Sequence, residues 1–579
     1  TLSSGIPKII SKAYPPSLEE YIGPPFSGDI KGSGKPSILF TRTLKLFSYS
    51  YDGTGTFKQD WSFNTTDTSG FTGLTMFDFN NDGILEIVYR DENNLQIING
   101  SSNPPIEIAK INCFSPTWSE YPLIGDLDNS GHAKICVPCE SITEGGNGHL
   151  TVFAPPDSLL GWAPARSVWN QYNYHVLNIN DDLTVPQMQK NNATFKNGKY
   201  NNFCVQESLL DSSGFFNKPA ASLTGKIKSI NYNSNNDVYI VTFDIYNRSD
   251  ASTTADSNLA VSFYNGDPVT TGSLIGIYHT SKKIDAGDSL LNLQYTFAAS
   301  NLSDLFMVIN TIRNKSGAFD PIDFIISECD YSDNTFRTLV LPKERKSNPC
   351  NSIDTQLCYN KEKFKATEII LEQKIRSDDE ILTTDNSLLA DMDGDCIPEF
   401  IIPDFNYQKI LIIDSKTGFT KWSISTPFHR AFSAGSIAIA DLDNDGIPEI
   451  FLKTSTSNLP GNIIGKLMCY NSDGSIRWIS DQRYELDFNK SVGGKLALAD
   501  FNQDGIPEIY VNNKIFNALT GIKLADGGAN GLGKVSTNGP ESHTVAAQLD
   551  TDLSDLELAA GFTVYKIKIM NINGTVGNS

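Results

Sequence analysis

Acidic and carboxamide side chains alternate in a short loop that recurs along this chain, and such a loop can gather hard oxygen donors around a cation. The spacing Asp-x-Asp/Asn-x-Asp-Gly-x-x-Glu occurs at Asp78, Asn80, Asp82 and Glu86. It recurs at Asp441, Asp443, Asp445 and Glu449, and at Asp500, Asn502, Asp504 and Glu508. Gly83, Gly446 and Gly505 follow the third acid, where the missing Cβ permits a sharp turn. The Glu then returns as the last donor. Such a set suits Ca²⁺, which takes oxygens in flexible geometry, better than Zn²⁺, which favours His and Cys. It is not an EF-hand: the closing acid comes at about position nine instead of twelve, and β-formers follow it instead of a helix.

Weaker copies widen the set. Asp391, Asp393, Asp395 and Glu399 keep the acids, but Cys396 replaces the glycine and predicts a strained turn. The copy at Asp126 has Ser130 for the third acid and Lys134 in place of the Glu, so an ammonium is expected to replace the ion. A last copy, from Gln548, keeps Asp550, Asp552 and Glu557 if one residue is inserted. Polar β-turns alone would explain the Asp, Asn and Gly but not the trailing Glu. The expectation is about three to five bound Ca²⁺ ions.

These loops need strands to hold them. A small, apolar strand enters each one (GLTMFDF, GSIAIADL, GKLALADF), and another leaves it (PEIFL, PEIYV). A third strand, a tight turn and a Trp-containing edge (KWSI, IRWIS) follow. Neighbouring loops lie about 48, 50, 59 and 48 residues apart, the period of four-stranded propeller blades. The motif at Asp78, Asp441 and Asp500 resembles the FG-GAP/VCBS repeat, the calcium-bearing blade of integrin-α-like β-propellers. The resemblance implies Ca²⁺ ligation by the residues named above. With a loopless blade before Phe71, the expected fold is all-β, an about seven-bladed propeller.

The rhythm breaks between residues 191 and 384. The parts expected are N-terminal blades over 1–190, an insertion over 191–384 and C-terminal blades over 385–579. Within the insertion, roughly 220–342, the runs DVYIVTFDIYN, NLAVSFYNG, SLIGIYHT, SLLNLQYTF and LFMVINT indicate an Ig-like β-sandwich. This stretch is similar to the CARDB family, with Glu328 and Asn334 at its closing signature. Just before the insertion, Arg166–Pro186 resembles a segment of Bacteroidota surface proteins exported by type IX secretion. Trp169, Tyr172, Tyr174, His175, Asp181 and Asp182 in that segment read either as a ligand surface or as packing between propeller and insertion.

A formal charge of -21 argues against nucleic acid as partner. No apolar run is long enough to span a membrane. The start at Thr1 fits a processed or excised chain. Nine cysteines suggest some pairing, with Cys350–Cys358 the best local candidate; Cys136-x-x-Cys139 could form a redox or zinc half-site, but with no second pair at metal spacing it reads as a strand-borne pair of buried or oxidised thiols. Six scattered histidines form no hydrolase motif. The expected function is non-catalytic binding at a bacterial cell surface or outside the cell, of a glycan or a surface protein, or as a subunit of a gliding or secretion assembly. A polysaccharide-acting enzyme and a passive spacer are the alternatives.

Overall fold

The computed structural model describes residues 22–567 apart from scattered short gaps and the longer stretches 141–147, 211–220, 327–333, 339–363, 427–435, 455–462, 485–493 and 529–543. The chain is all-β. Its one helical element among the described residues is a four-residue 3₁₀ turn, Phe195–Gly198. No described helix is long and apolar enough to cross a membrane.

Nine antiparallel sheets account for the described strands. Seven share one plan, strands meandering outward in chain order: a first sheet (26–64), second (74–112), third (123–154), fourth (388–425), fifth (437–479), sixth (496–526) and seventh (544–566). The third takes its outer strand, Glu372–Arg376, from after the long interruption, pairing it with Thr151–Ala154. The interruption therefore falls inside one sheet, before its last strand.

Side-chain pattern explains the plan. First and second strands such as Leu74–Phe77 and Glu86–Arg90 are buried at every position, as continuous apolar runs require when both faces are covered. Fourth strands such as Ile106–Asn112 and Glu372–Arg376 carry mostly exposed or half-buried residues. Burial thus falls from first strand to last within each sheet.

The other two sheets lie between Leu223 and Thr338 and enclose a single apolar core that includes Val241, Phe243, Phe263 and Met307. The five apolar runs read from the sequence there each form a strand. Asn334 is buried at the edge of this core, its carbonyl accepting from the Ile309 N–H at 2.9 Å. Glu328 lies outside the described residues.

Cys136 and Cys139 share one strand, as expected, one buried and one oxidised. Cys139 forms a disulfide with Cys113, and Cys136 is a separate buried thiol. Residues three apart on a strand face opposite sides of the sheet, so the two could not act together. Cys350 and Cys358 lie outside the described residues.

Candidate metal centres and the central segment

Each acidic loop joins the first strand of a sheet to the second. At Asp78 the carboxylate accepts the N–H groups of Asp82 (3.1 Å) and Gly83 (2.9 Å), which pulls the loop into a ring. Asn81 and Gly83 take positive φ to close it, at 56° and 84°. Glu86, fully buried on the second strand, accepts the Phe79 N–H at 3.1 Å through Oε2. Its other oxygen, Oε1, is buried with no hydrogen-bond partner. Burial, with the nearby Asp78 and Asp82 carboxylates, pushes Glu86 up to about 8; burial first also lifts Asp78 to about 6. An orphaned, buried carboxylate oxygen beside two further acids has the donor chemistry that suits a Ca²⁺ ion, although the three acids are not drawn within 4.8 Å of one another as those of the fourth and fifth sheets are.

The same frame recurs with one oxygen of the Glu bonded back to the loop. Glu399 accepts from Met392 at 2.7 Å, Glu449 from Leu442 at 3.0 Å and Glu508 from Phe501 at 2.9 Å. Glu557 accepts from Leu549 at 2.8 Å across a spacing one residue longer. What faces the second oxygen differs between sheets. In the fourth, Lys421 Nζ lies 2.9 Å from Glu399, 2.8 Å from Asp393 and 2.7 Å from Asp395. In the fifth, the Arg477 guanidinium reaches Glu449 at 2.5 Å and Asp443 at 3.2 Å. At Asp126 the Lys134 ammonium bonds Asp128 and, at 2.8 Å, Ser130 Oγ.

Carboxylates of Asp391, Asp393 and Asp395, and of Asp441, Asp443 and Glu449, approach one another within 4.8 Å. Burial raises Glu399 and Glu449 to about 8 even so. In the sixth sheet Asp500 accepts the Gly505 N–H at 2.7 Å. Cys396, Asp445, Gly446, Asp504, Asp550 and Asp552 lie outside the described residues.

The first sheet, expected to lack a loop, has one. Asp29 accepts from Ser33 at 3.0 Å and Gly34 at 2.5 Å, and Gly32 and Gly34 take positive φ at the positions of Asn81 and Gly83. Lys31 replaces the second ligand and Ser37 the Glu, which hid the copy. The Asp29 to Gly34 to Pro36 spacing, shared with Asp441, Gly446 and Pro448, was the available signal.

The aromatic and amide block has a different role from a ligand surface. Trp169, Tyr172, Tyr174 and His175 are all buried. Among the described residues the three aromatics share a core with strands of the common plan and not with the inserted pair, and the segment from Ala165 to Gln206 meets the first strand of every one of the seven sheets. Phe203 N–H donates to Ser27 at 2.8 Å, Gln206 N–H to Met76 at 3.2 Å, and Gln206 Nε2 to Ile124 at 2.9 Å. Trp169 and Leu389 exchange two backbone bonds, and Ile439 N–H donates to Asn170 at 3.0 Å. Leu498 N–H donates to Gln171 Oε1 at 2.8 Å, and Asn173 Nδ2 to the Thr544 carbonyl at 2.7 Å. Arg166 fixes the segment's own turn, donating to the Val176 and Ile179 carbonyls at 2.9 Å and to Asp181 at 2.6 Å. Asp182 lies outside the described residues.

The FG-GAP-like repeat family matches residues 29–89 and 391–452, so the chain carries FG-GAP-like repeats in two regions. No curated protein matches it. Among solved structures it is similar to the V. cholerae biofilm matrix protein Bap1, at 11% identity over 74% of each chain and a TM-score of 0.20. It is also similar to an Agrocybe aegerita lectin that recognises non-reducing terminal N-acetylglucosamine, at 9% identity over 79% of each chain and a TM-score of 0.20. The Streptococcus pneumoniae sialidase NanB follows at 12% identity over 86% of this chain and 83% of that one, TM-score 0.20. Likenesses of this size assign neither fold nor ligand.

Proposed function

We infer that the chain is a secreted or cell-surface binding protein, non-catalytic, built on a calcium-stabilised seven-bladed β-propeller with an Ig-like, CARDB-like module inserted in its third blade. The observation that carries this reading is the central segment. Seven first strands that all bond one stretch of about forty residues must converge around it, as propeller blades converge on their axis. The axis is then filled by the chain itself, which leaves the faces, the rim and the inserted module to meet a ligand.

Calcium has a structural part here: it ties the loop between first and second strands and stabilises the native state by mass action. The ligand is a glycan or a surface protein, or the neighbouring subunits of an envelope assembly. Export is supported by the Cys113–Cys139 disulfide, a bond that persists in oxidising compartments.

The test is a binding screen of the purified chain against glycans and envelope proteins, with calcium and again with EDTA. Saturable binding without product release is expected. Release of sugar from a polysaccharide panel would replace this reading with an enzyme, and a blank from folded protein would leave only a spacer.

A further inference from the structure

Beyond the loops themselves, one irregularity repeats in the six complete four-stranded sheets of the common plan. Third and fourth strands slip by one residue, the shift falling at Ser48/Tyr49, Ile97/Ile98, Val152/Phe153, Ile412/Ile413, Cys469/Tyr470 and Ile515/Phe516. In each sheet the second of these residues pairs with the one that follows the loop's ninth position, Ile87 after Glu86 for example. The extra residue in the fourth strand is therefore Asp60, Ile108, Lys374, Lys421, Arg477 or Leu524, always across the third strand from the residue that follows the loop's ninth position. A β-bulge of this kind re-aims one side chain.

The residue at the bulge and the contents of the loop vary together. Lys421 and Arg477 occupy the acidic loops of the fourth and fifth sheets. In the first sheet the charges are exchanged: the loop supplies Lys31 and the bulge supplies Asp60, 2.5 Å apart. In the third, Lys134 already fills the loop, and the bulge residue Lys374 turns to Asp157 and Glu372 at 2.7 and 2.9 Å. In the second, the bulge residue is Ile108, and there Glu86 Oε1 is left without a partner.

We propose that the bulge residue decides which loops take a metal ion: Lys421 and Arg477 are tethered counter-ions that close the Asp391 and Asp441 loops to Ca²⁺, whereas Ile108 leaves the Asp78 loop to bind it. The tether works because a cation on the same chain binds without losing translational freedom, and because an arriving Ca²⁺ must displace a like charge from carboxylates already bonded. Leu524 at the sixth bulge predicts that the Asp500 loop behaves like the Asp78 loop.

The inference rests on reading the loops as calcium sites, and one experiment separates the two. Bound Ca²⁺ per full-length chain is counted by equilibrium dialysis at about 10⁻⁵ M free ion. Lys421→Met is expected to add one ion, and Lys421→Met with Arg477→Met to add two. Ile108→Lys, at a partly exposed position, is expected to remove the ion that Asp78→Asn also removes. If the wild-type chain binds an ion that Asp78→Asn removes, yet Lys421→Met folds and adds none, the tether is overturned and the calcium site stands. If Asp78→Asn changes nothing, the calcium reading of that loop fails. Should Lys421→Met not fold, Ile108→Lys decides, and retention of the Asp78 ion overturns the proposal.

Discussion

At the scale of single residues, the acids and the ammonium of Lys134 were legible, and the counter-charges Lys421 and Arg477 were not. Asp78, Asp82 and Glu86 stand out because alternation and a trailing Glu are properties of the local sequence. Lys421 and Arg477 reach their loops only through cross-strand register and a bulge, which no local spacing encodes. The buried pair Arg90–Glu120 was equally hidden: both side chains are fully buried, and Arg90 also donates to the Pro138 carbonyl, joining the second sheet to the third. Truncating Glu120 leaves a buried guanidinium without its carboxylate, so Glu120→Ala is expected to lower unfolding free energy by about 3–5 kcal/mol, measured by urea denaturation. His175 adds a pH term. Its Nε2–H donates to the Tyr200 carbonyl at 2.9 Å and its Nδ1 accepts from Leu177 at 3.1 Å, which fixes a neutral ring. Burial holds its pKa down at about 4. With the folded value below the unfolded one, stability is complete above about pH 6.5 and is lost as pH falls toward 4, by up to about 3 kcal/mol. His175→Gln should flatten that part of the profile relative to the wild type; an unchanged slope would place the proton uptake elsewhere.

At the scale of elements, the strands that enter and leave the loops were readable because both faces are covered, and a continuous apolar run such as Leu496–Ala499 has few other uses. The outer strand of the third sheet was not readable. Glu372–Arg376 is polar and largely exposed, and its partner Thr151–Ala154 is more than two hundred residues away. Its place comes from pairing alone, since a rim strand contributes backbone hydrogen bonds and little core. The disulfide has a similar long-range origin. Cys113 ends the second sheet and Cys139 lies on the second strand of the third, so the bond staples two neighbouring sheets across a separation of 26 residues. Closing a loop of that size in the unfolded chain is worth about 3 kcal/mol in the chain-entropy account. Cys113→Ser is expected to lower the melting temperature by several degrees under oxidising conditions and to abolish the difference made by a reductant. A melting curve that still responds to reductant would indicate a second disulfide.

At the scale of the whole molecule, the segment between Ala165 and Gln206 links sheets that are distant in sequence. Sheets that touch only their neighbours would unfold as a nearly one-dimensional array, each losing stability by itself. Here one segment bonds, through backbone and side chains, the first strand of all seven sheets, so damage at one point should be felt by strands distant in sequence. Trp169 is the sharpest place to apply that test. It is buried, stacks on Tyr174 with ring centroids 4.1 Å apart, donates from Nε1 to the Tyr121 hydroxyl at 3.3 Å, and exchanges backbone bonds with Leu389. Trp169→Ala removes a large core side chain and should cost about 3–5 kcal/mol. The magnitude alone would not distinguish a plug from an ordinary core residue; the distribution does. Hydrogen exchange on the variant is expected to show lost protection at Leu74–Phe77 and Leu496–Ala499 as well as at Leu388–Ala390, which Trp169 contacts directly. Loss confined to the contacted strand would mean that the sheets stand without their centre, and that the segment fills space without joining them.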